Sequence, residues 1–213
     1  MSRLLIIDLL AEREAFGEYG VKEIIRHFPE YEIFLWAPHT TTPRDYPFGT
    51  RVKSAVVSDA IVITGSRRNV SEWEDWMDEV AEIIVNCDVP LYGICFGHQI
   101  ICKVLGGEVL RAEEKSHFMA LVKYNDGREV NQLFTHQDHV TDSGEMEVIA
   151  TSDHCGIAAC KHPSRHIVTV QYHPEAVLNV LEHSVICGDM SEQERADFGE
   201  GIQDLDVSGA LDI

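Results

Sequence analysis

The 213 residues carry 36 acidic and 17 basic side chains, a formal net charge of −19, with 45% hydrophobic and 25% charged residues. That length builds one domain with a sizeable core, and the mix is that of an ordinary globular protein. A surface this acidic repels phosphate backbones and anionic lipid, which excludes nucleic acid and membranes as expected partners, and no apolar run reaches spanning length.

The first residues, Met1-Ser2-Arg3-Leu4-Leu5-Ile6-Ile7-Asp8, lack a signal-peptide pattern and read as a first strand, so a cytoplasmic location is expected. Continuous apolar runs at 4–9, 32–36, 60–64 and 90–94 read as strands covered on both faces, as in a parallel sheet. Between them, Val21, Ile24, Ile25 and Phe28 share one helical face. Ser71-Glu72-Trp73-Glu74 fits a capping box, predicting a helix from there to about residue 86 with Trp73, Trp76, Met77, Val80, Ile83 and Ile84 inward. A helix over 97–105 ends at Gly106-Gly107.

The second half changes character. Strands are predicted at 108–111, 118–124, 129–135, 147–151, 156–161 and 167–171, with Asn125-Asp126-Gly127 as a turn, then a helix over 174–186. The expected fold is therefore α/β: an open, mostly parallel doubly wound sheet with an additional antiparallel section. The expected division is a domain over 1–187 and an acidic C-terminal extension over 188–213.

Six cysteines, none in a Cys-x-x-Cys pair, read as free thiols. His136 and His139 stand three apart with no matching second pair nearby in the sequence, so no metal and no cofactor are expected.

One cysteine stands apart. Cys95 lies between Gly93 and Gly97, where a buried strand meets a helix. Small residues around a nucleophile on a strand–turn–helix make an elbow that lifts the side chain clear of the sheet. The helix N-terminus favours a thiolate, and the backbone N–H of Phe96 points where an oxyanion would form. A thiol nucleophile needs a base, and His173 follows the last apolar strand with Glu175 two residues on, placed to orient the imidazole.

Gly93-Ile94-Cys95-Phe96-Gly97-His98-Gln99, followed far downstream by His173-Pro174-Glu175, resembles the class I glutamine amidotransferases, over about residues 4–186. The resemblance implies a flavodoxin-like amidotransferase fold and a Cys95–His173–Glu175 triad. That triad would hydrolyse the side-chain amide of L-glutamine through a thioester. Thr64-Gly65-Ser66 matches the family's oxyanion loop, with Ser66 where many members have a second glycine; Gly65 and Ser66 are thus implied at the substrate, with the Ser66 and Phe96 N–H groups as oxyanion donors. Gln99 matches a substrate-contacting glutamine. Thr135-His136-Gln137-Asp138-His139-Val140 resembles the loop whose backbone receives the substrate's amino-acid end, which makes His136 and Gln137 substrate-binding candidates and loop residues rather than zinc ligands.

The chain has no Gly-x-x-x-x-Gly-Lys phosphate loop, so the resemblance, which is to the stand-alone, GMP-synthetase-like glutaminases, implies a separate ammonia-accepting synthetase subunit. Two alternatives stand beside it: a stand-alone hydrolase of γ-glutamyl peptides using the same triad, and a non-catalytic binding or regulatory protein on this fold. Arg67-Arg68 follows the oxyanion loop and reads as solvated surface charge first, with contact to an acidic partner or the substrate carboxylate as the alternative, and the Trp73/Trp76 pair has core spacing.

Overall fold

The computed structural model describes residues 1–198. In chain order its strands are β1 (Ser2–Ile7), β2 (Tyr31–Trp36), β3 (Thr50–Val52), β4 (Ala60–Ile63), β5 (Leu91–Ile94), β6 (Glu108–Tyr124), β7 (Glu129–Asp142), β8 (Glu147–Ser152), β9 (Cys155–Lys161) and β10 (Ile167–Val170). The helices are α1 (Gly20–Ile25), entered through a π-helical turn over Glu14–Tyr19, then α2 (Trp76–Asn86), α3 (Phe96–Val104), α4 (Leu178–Ile186) and α5 (Glu192–Asp197).

All ten strands join one sheet in the order β3-β2-β1-β4-β5-β10-β9-β8-β6-β7. The run from β3 to β10 is parallel, and β10 onward to β7 is antiparallel. Alternate residues of the parallel strands enter two cores. Leu4, Ile6 and Val62 pack with Val21, Ile24 and Phe28 on one face. Leu5, Ile7 and Ile63 pack with Met77, Val80, Ile84, Ile100 and Ile101 on the other. Burial on both faces is why these strands read as unbroken apolar runs.

β3 escaped the sequence reading because three residues show no period. Arg51 recruits it: the guanidinium lies 2.7 Å from the Asp8 carboxylate, which is fully buried just past β1. Burial raises the Asp8 pKa, against the opposing pull of Arg51.

The structure corrects several sequence expectations. α2 starts at Trp76, and Ser71 does not cap it. Instead the Ser71 backbone N–H and hydroxyl both donate to the Asp138 carboxylate, each at 2.8 Å. Hydrogen bonds to an ion outweigh a local neutral cap. Trp73 consequently stays out of the core, donating its indole N–H to Asp78 at 2.8 Å. The expected break at 112–117 does not occur, and β7 runs on through the loop expected over 135–140: β6 and β7 are both single long strands, with a register shift between Arg111 and Ser116. His136 and His139 therefore lie in a strand rather than a loop. α4 starts at Leu178, because residues 174–177 turn back to present Glu175 to His173.

The boundary expected after residue 187 falls where the chain keeps packing. Met190 and Phe198 share a cluster with Leu133, Ala176 and Leu181, and α5 carries a full capping box of Ser191 and Glu194. Residues 199–213 of the expected extension lie outside the described residues.

Candidate active site

β5 lies between β4 and β10, so the carboxyl ends of these three strands form one ledge. Gly65 follows the first, Cys95 the second and His173 the third. Ligands of open α/β sheets bind at this edge.

Cys95 is pinned from both sides. Its N–H donates to the Val170 carbonyl at 2.8 Å, and its own carbonyl accepts from the Gln99 N–H at 3.1 Å. The residue thus ends the ladder and starts α3 at once. It is held at φ 51°, ψ −98°, the only positive φ at a non-glycine among the described residues. Such backbone strain costs about 1–3 kcal/mol and survives only where its surroundings enforce it. The flanking glycines enforce it by proximity rather than by their own torsions. A Cβ at Gly97 would lie 2.3 Å from the Ile63 carbonyl oxygen, and one at Gly93 2.6 Å from the Gly97 carbonyl.

His173 is fixed by its N–H, which donates to the Leu133 carbonyl at 2.9 Å, and by its ring Nδ1, which donates to Glu175 at 2.8 Å. Burial alone would push its pKa down, but the Cys95 sulfur and the Glu175 carboxylate together raise it well above the ordinary histidine range. With Nδ1 committed to Glu175, Nε2 is the atom left for proton transfer.

Gly65 presses on this pair. A Cβ there would stand 2.8 Å from His173 Cε1 and 3.6 Å from Cys95 Cβ. The loop is held by Thr64, whose hydroxyl accepts from the Leu9 N–H and lies 2.9 Å from the Gly65 carbonyl. Ser66 spends its hydroxyl on the Arg68 N–H at 3.0 Å.

A cleft of about 310 Å³ opens over Cys95 and His173. Ser66, Gln99, His136 and Gln137 all line it, whereas Gly65, Phe96 and Glu175 do not. Three of them also make hydrogen bonds within the chain. The Gln99 amide nitrogen donates to the Asp138 carbonyl at 2.8 Å and to Gln171 at 3.2 Å, which leaves Oε1 for a ligand. Gln137 accepts from Arg111 at 2.9 Å and donates to the Ala112 carbonyl at 3.0 Å. His136 is buried, its Nδ1 donating to the Asp138 carbonyl at 2.9 Å.

Arg67 and Arg68, read from sequence as plain surface charge, stand at the cleft mouth with Arg111 and Lys115. Arg13 and Asp189 close another side, paired at 3.0 Å. In a chain of net charge −19 this is a local concentration of positive charge, suited to a carboxylate-bearing ligand.

Comparison with known proteins agrees with this geometry. Residues 24–190 match the family model for glutamine amidotransferase class-I. A glutamine-hydrolyzing GMP synthase subunit from Methanosphaera stadtmanae is 42% identical over 106 residues, which span 44% of this chain and 55% of that protein. The subunit of the same name from Methanocaldococcus jannaschii is 33% identical over 147 residues, 65% of this chain and 72% of that one. Among solved structures, a glutamine amidotransferase from Thermotoga maritima has a TM-score of 0.67 at 16% identity, covering 100% of this chain and 99% of that one. One from Methylobacillus flagellatus has a TM-score of 0.70 at 16% identity, covering 97% and 88%. At these identities the two structures speak to the fold alone. Family model, fold and site geometry lead to one assignment: the chain belongs to the class I glutamine amidotransferase family.

Proposed function

We propose that this chain hydrolyses L-glutamine at its side-chain amide and passes the ammonia to a separate synthetase subunit. The observation that carries the reading is Cys95, strained at φ 51° on the elbow beside the His173–Glu175 pair. The Cys95 thiolate attacks the amide carbon. The backbone N–H groups of Phe96 and Ser66 receive the developing oxyanion. His173, protonated and oriented by Glu175, gives its Nε2 proton to the departing ammonia. The neutral imidazole then draws a proton from water, which cleaves the thioester and releases glutamate. Gln99, His136 and Gln137 line the space we assign to the substrate's amino-acid end, with Gly65 packed behind Cys95 and His173, and the basic residues at the mouth suit its α-carboxylate.

The relatives' name, a subunit of a glutamine-hydrolyzing GMP synthase, supports a partner that aminates a nucleotide. The free cysteines fit a reducing cytoplasm, and among the described residues no helix is long and apolar enough to cross a membrane.

A second reading draws on the cleft mouth. Arg67, Arg68 and Lys115 extend positive charge beyond the triad, which would suit the extra carboxylate of a γ-glutamyl dipeptide. Steady-state kinetics on the isolated chain, with glutamine and with γ-glutamyl dipeptides, separate the two. The amidotransferase reading expects glutamine turnover that rises when the synthetase partner is added. Fast dipeptide turnover with poor use of glutamine would replace it with the second. In both, Cys95→Ser lowers kcat by at least about 10³-fold, because members of such a unit act together; a variant that kept its rate would refute the triad.

A further inference from the structure

Three potential metal ligands converge behind the cleft, of which His136 alone lines it. A ring nitrogen of His136, one of His139 and the Cys155 sulfur all lie within 4.8 Å of one another. In a regular strand, residues three apart face opposite sides. Here the two rings meet with centroids 4.4 Å apart, where the β6–β7 register breaks. Cys155 arrives from β9, distant in sequence, so the pair of histidines lacked its third partner until the chain folded.

His136 is set up as metal-binding imidazoles are. Nδ1 donates to the Asp138 carbonyl, which fixes the tautomer and leaves the Nε2 lone pair outward. Nε2 has no partner among the described residues, although the residue is only 4% exposed. Buried polar atoms are normally paired, so this one asks for a ligand. The Cys155 S–H reaches the Ile157 carbonyl at 3.4 Å. A bound metal would release that proton to solvent. Another trio, His98, Cys102 and Cys160, also converges, but all its members are sealed at 0% exposure with no route for an ion.

We propose that His136, His139 and Cys155 bind one zinc-class divalent ion, and that its occupancy inhibits the adjacent amidase site. Two imidazoles and a thiolate suit zinc, while the absence of a carboxylate from the trio disfavours magnesium and calcium. Zinc–ligand bonds of about 2.0–2.3 Å place tetrahedral ligands roughly 3.3–3.8 Å apart, so closing around the ion takes shifts of about 1 Å or less. Inhibition follows from position. His136 lines the cleft with Cys95 and His173, and a dication there repels the His173 imidazolium. Only this inhibitory clause rests on the proposed function; the metal site stands apart from it.

Cobalt(II) is the probe, titrated into the metal-free full chain. One equivalent should give a thiolate-to-cobalt charge-transfer band that zinc abolishes by displacement. Cys155→Ser should lose the band, and His139→Gln should weaken binding at least about tenfold. Cys95→Ser should keep both. Circular dichroism confirms that each variant is folded, and His139, only half-buried, gives a variant less exposed to folding failure than Cys155. In glutaminase assays, zinc should inhibit the parent, while Cys155→Ser and His139→Gln keep near-parental activity and need at least about tenfold more zinc. Absence of the band, or a band that survives Cys155→Ser and vanishes in Cys95→Ser, overturns the site. Stoichiometric binding without inhibition overturns the regulatory clause alone. A chain without glutaminase activity refutes the proposed function, while the cobalt spectra still decide the site.

Discussion

Ser71 and Asp138 are joined by two hydrogen bonds of 2.8 Å, one from the backbone N–H and one from the hydroxyl. The same Asp138 residue offers its carbonyl to Gln99 and His136. One residue thus ties the segment after β4, the elbow helix and the cleft wall together.

A double-mutant cycle tests that tie. Asp138→Asn should destabilise the fold by about 1–3 kcal/mol, since it removes the charge from two part-buried hydrogen bonds. Combined with Ser71→Ala, it should show a coupling of about 1 kcal/mol or more in urea unfolding. Ser71→Ala with Glu74→Ala should show none, and a coupling there would restore the helix cap that the sequence suggested.

Glu175 governs the pH profile. Its carboxylate, with Cys95, holds the His173 pKa above the ordinary range despite burial. Glu175→Gln removes one raising influence, so the alkaline limb of kcat/KM should move to lower pH. The sign for stability follows. A raised histidine pKa stabilises fully below the unfolded value, about 6.5, and the contribution fades as pH rises through the folded pKa. The parent's advantage over Glu175→Gln in thermal melts should therefore shrink toward alkaline pH.

Gly65→Ala should strike catalysis harder than folding. Its methyl would meet His173 Cε1 at 2.8 Å, and His173 would have to shift. Displacement of about 1 Å can cost about 10² in rate. A kcat loss of tenfold or more, with a small change in melting temperature, is expected.

The elbow should show its strain when the side chain is removed. Glycine normally costs about 0.5–1 kcal/mol relative to alanine in regular structure. At φ 51° the order should reverse, with Cys95→Gly more stable than Cys95→Ala by about 1 kcal/mol in denaturant unfolding. Both should be inactive.

Two Ser-x-x-Glu stretches, of which the sequence reading singled out only the first, show the limit of local patterns. Ser191-Glu192-Gln193-Glu194 does form a capping box, and Ser71-Glu72-Trp73-Glu74 does not. The local pattern is the same; the difference is a buried carboxylate from a strand far along the chain. The parallel half and the Cys95, His173 and Glu175 positions were readable because burial on both faces and the elbow glycines leave local signatures. β7 was cut short because Thr135-His136-Gln137-Asp138-His139 reads as polar, although His136, Asp138 and Val140 alternate inward. The convergence of Cys155 on two histidines has no local signature at all.

The pairing of Arg13 with Asp189 has a consequence for synthesis. The Arg13 guanidinium contacts both the carbonyl and the carboxylate of Asp189, at 2.7 and 3.0 Å, across a sequence separation of 176 residues. Met190, beside it, also lines the cleft. The strands before β6 can thus pair early, while the elbow waits for Val170 and the cleft wall for residues 189 and 190. Until they join, the thiol of Cys95 would stand in an unfinished chamber.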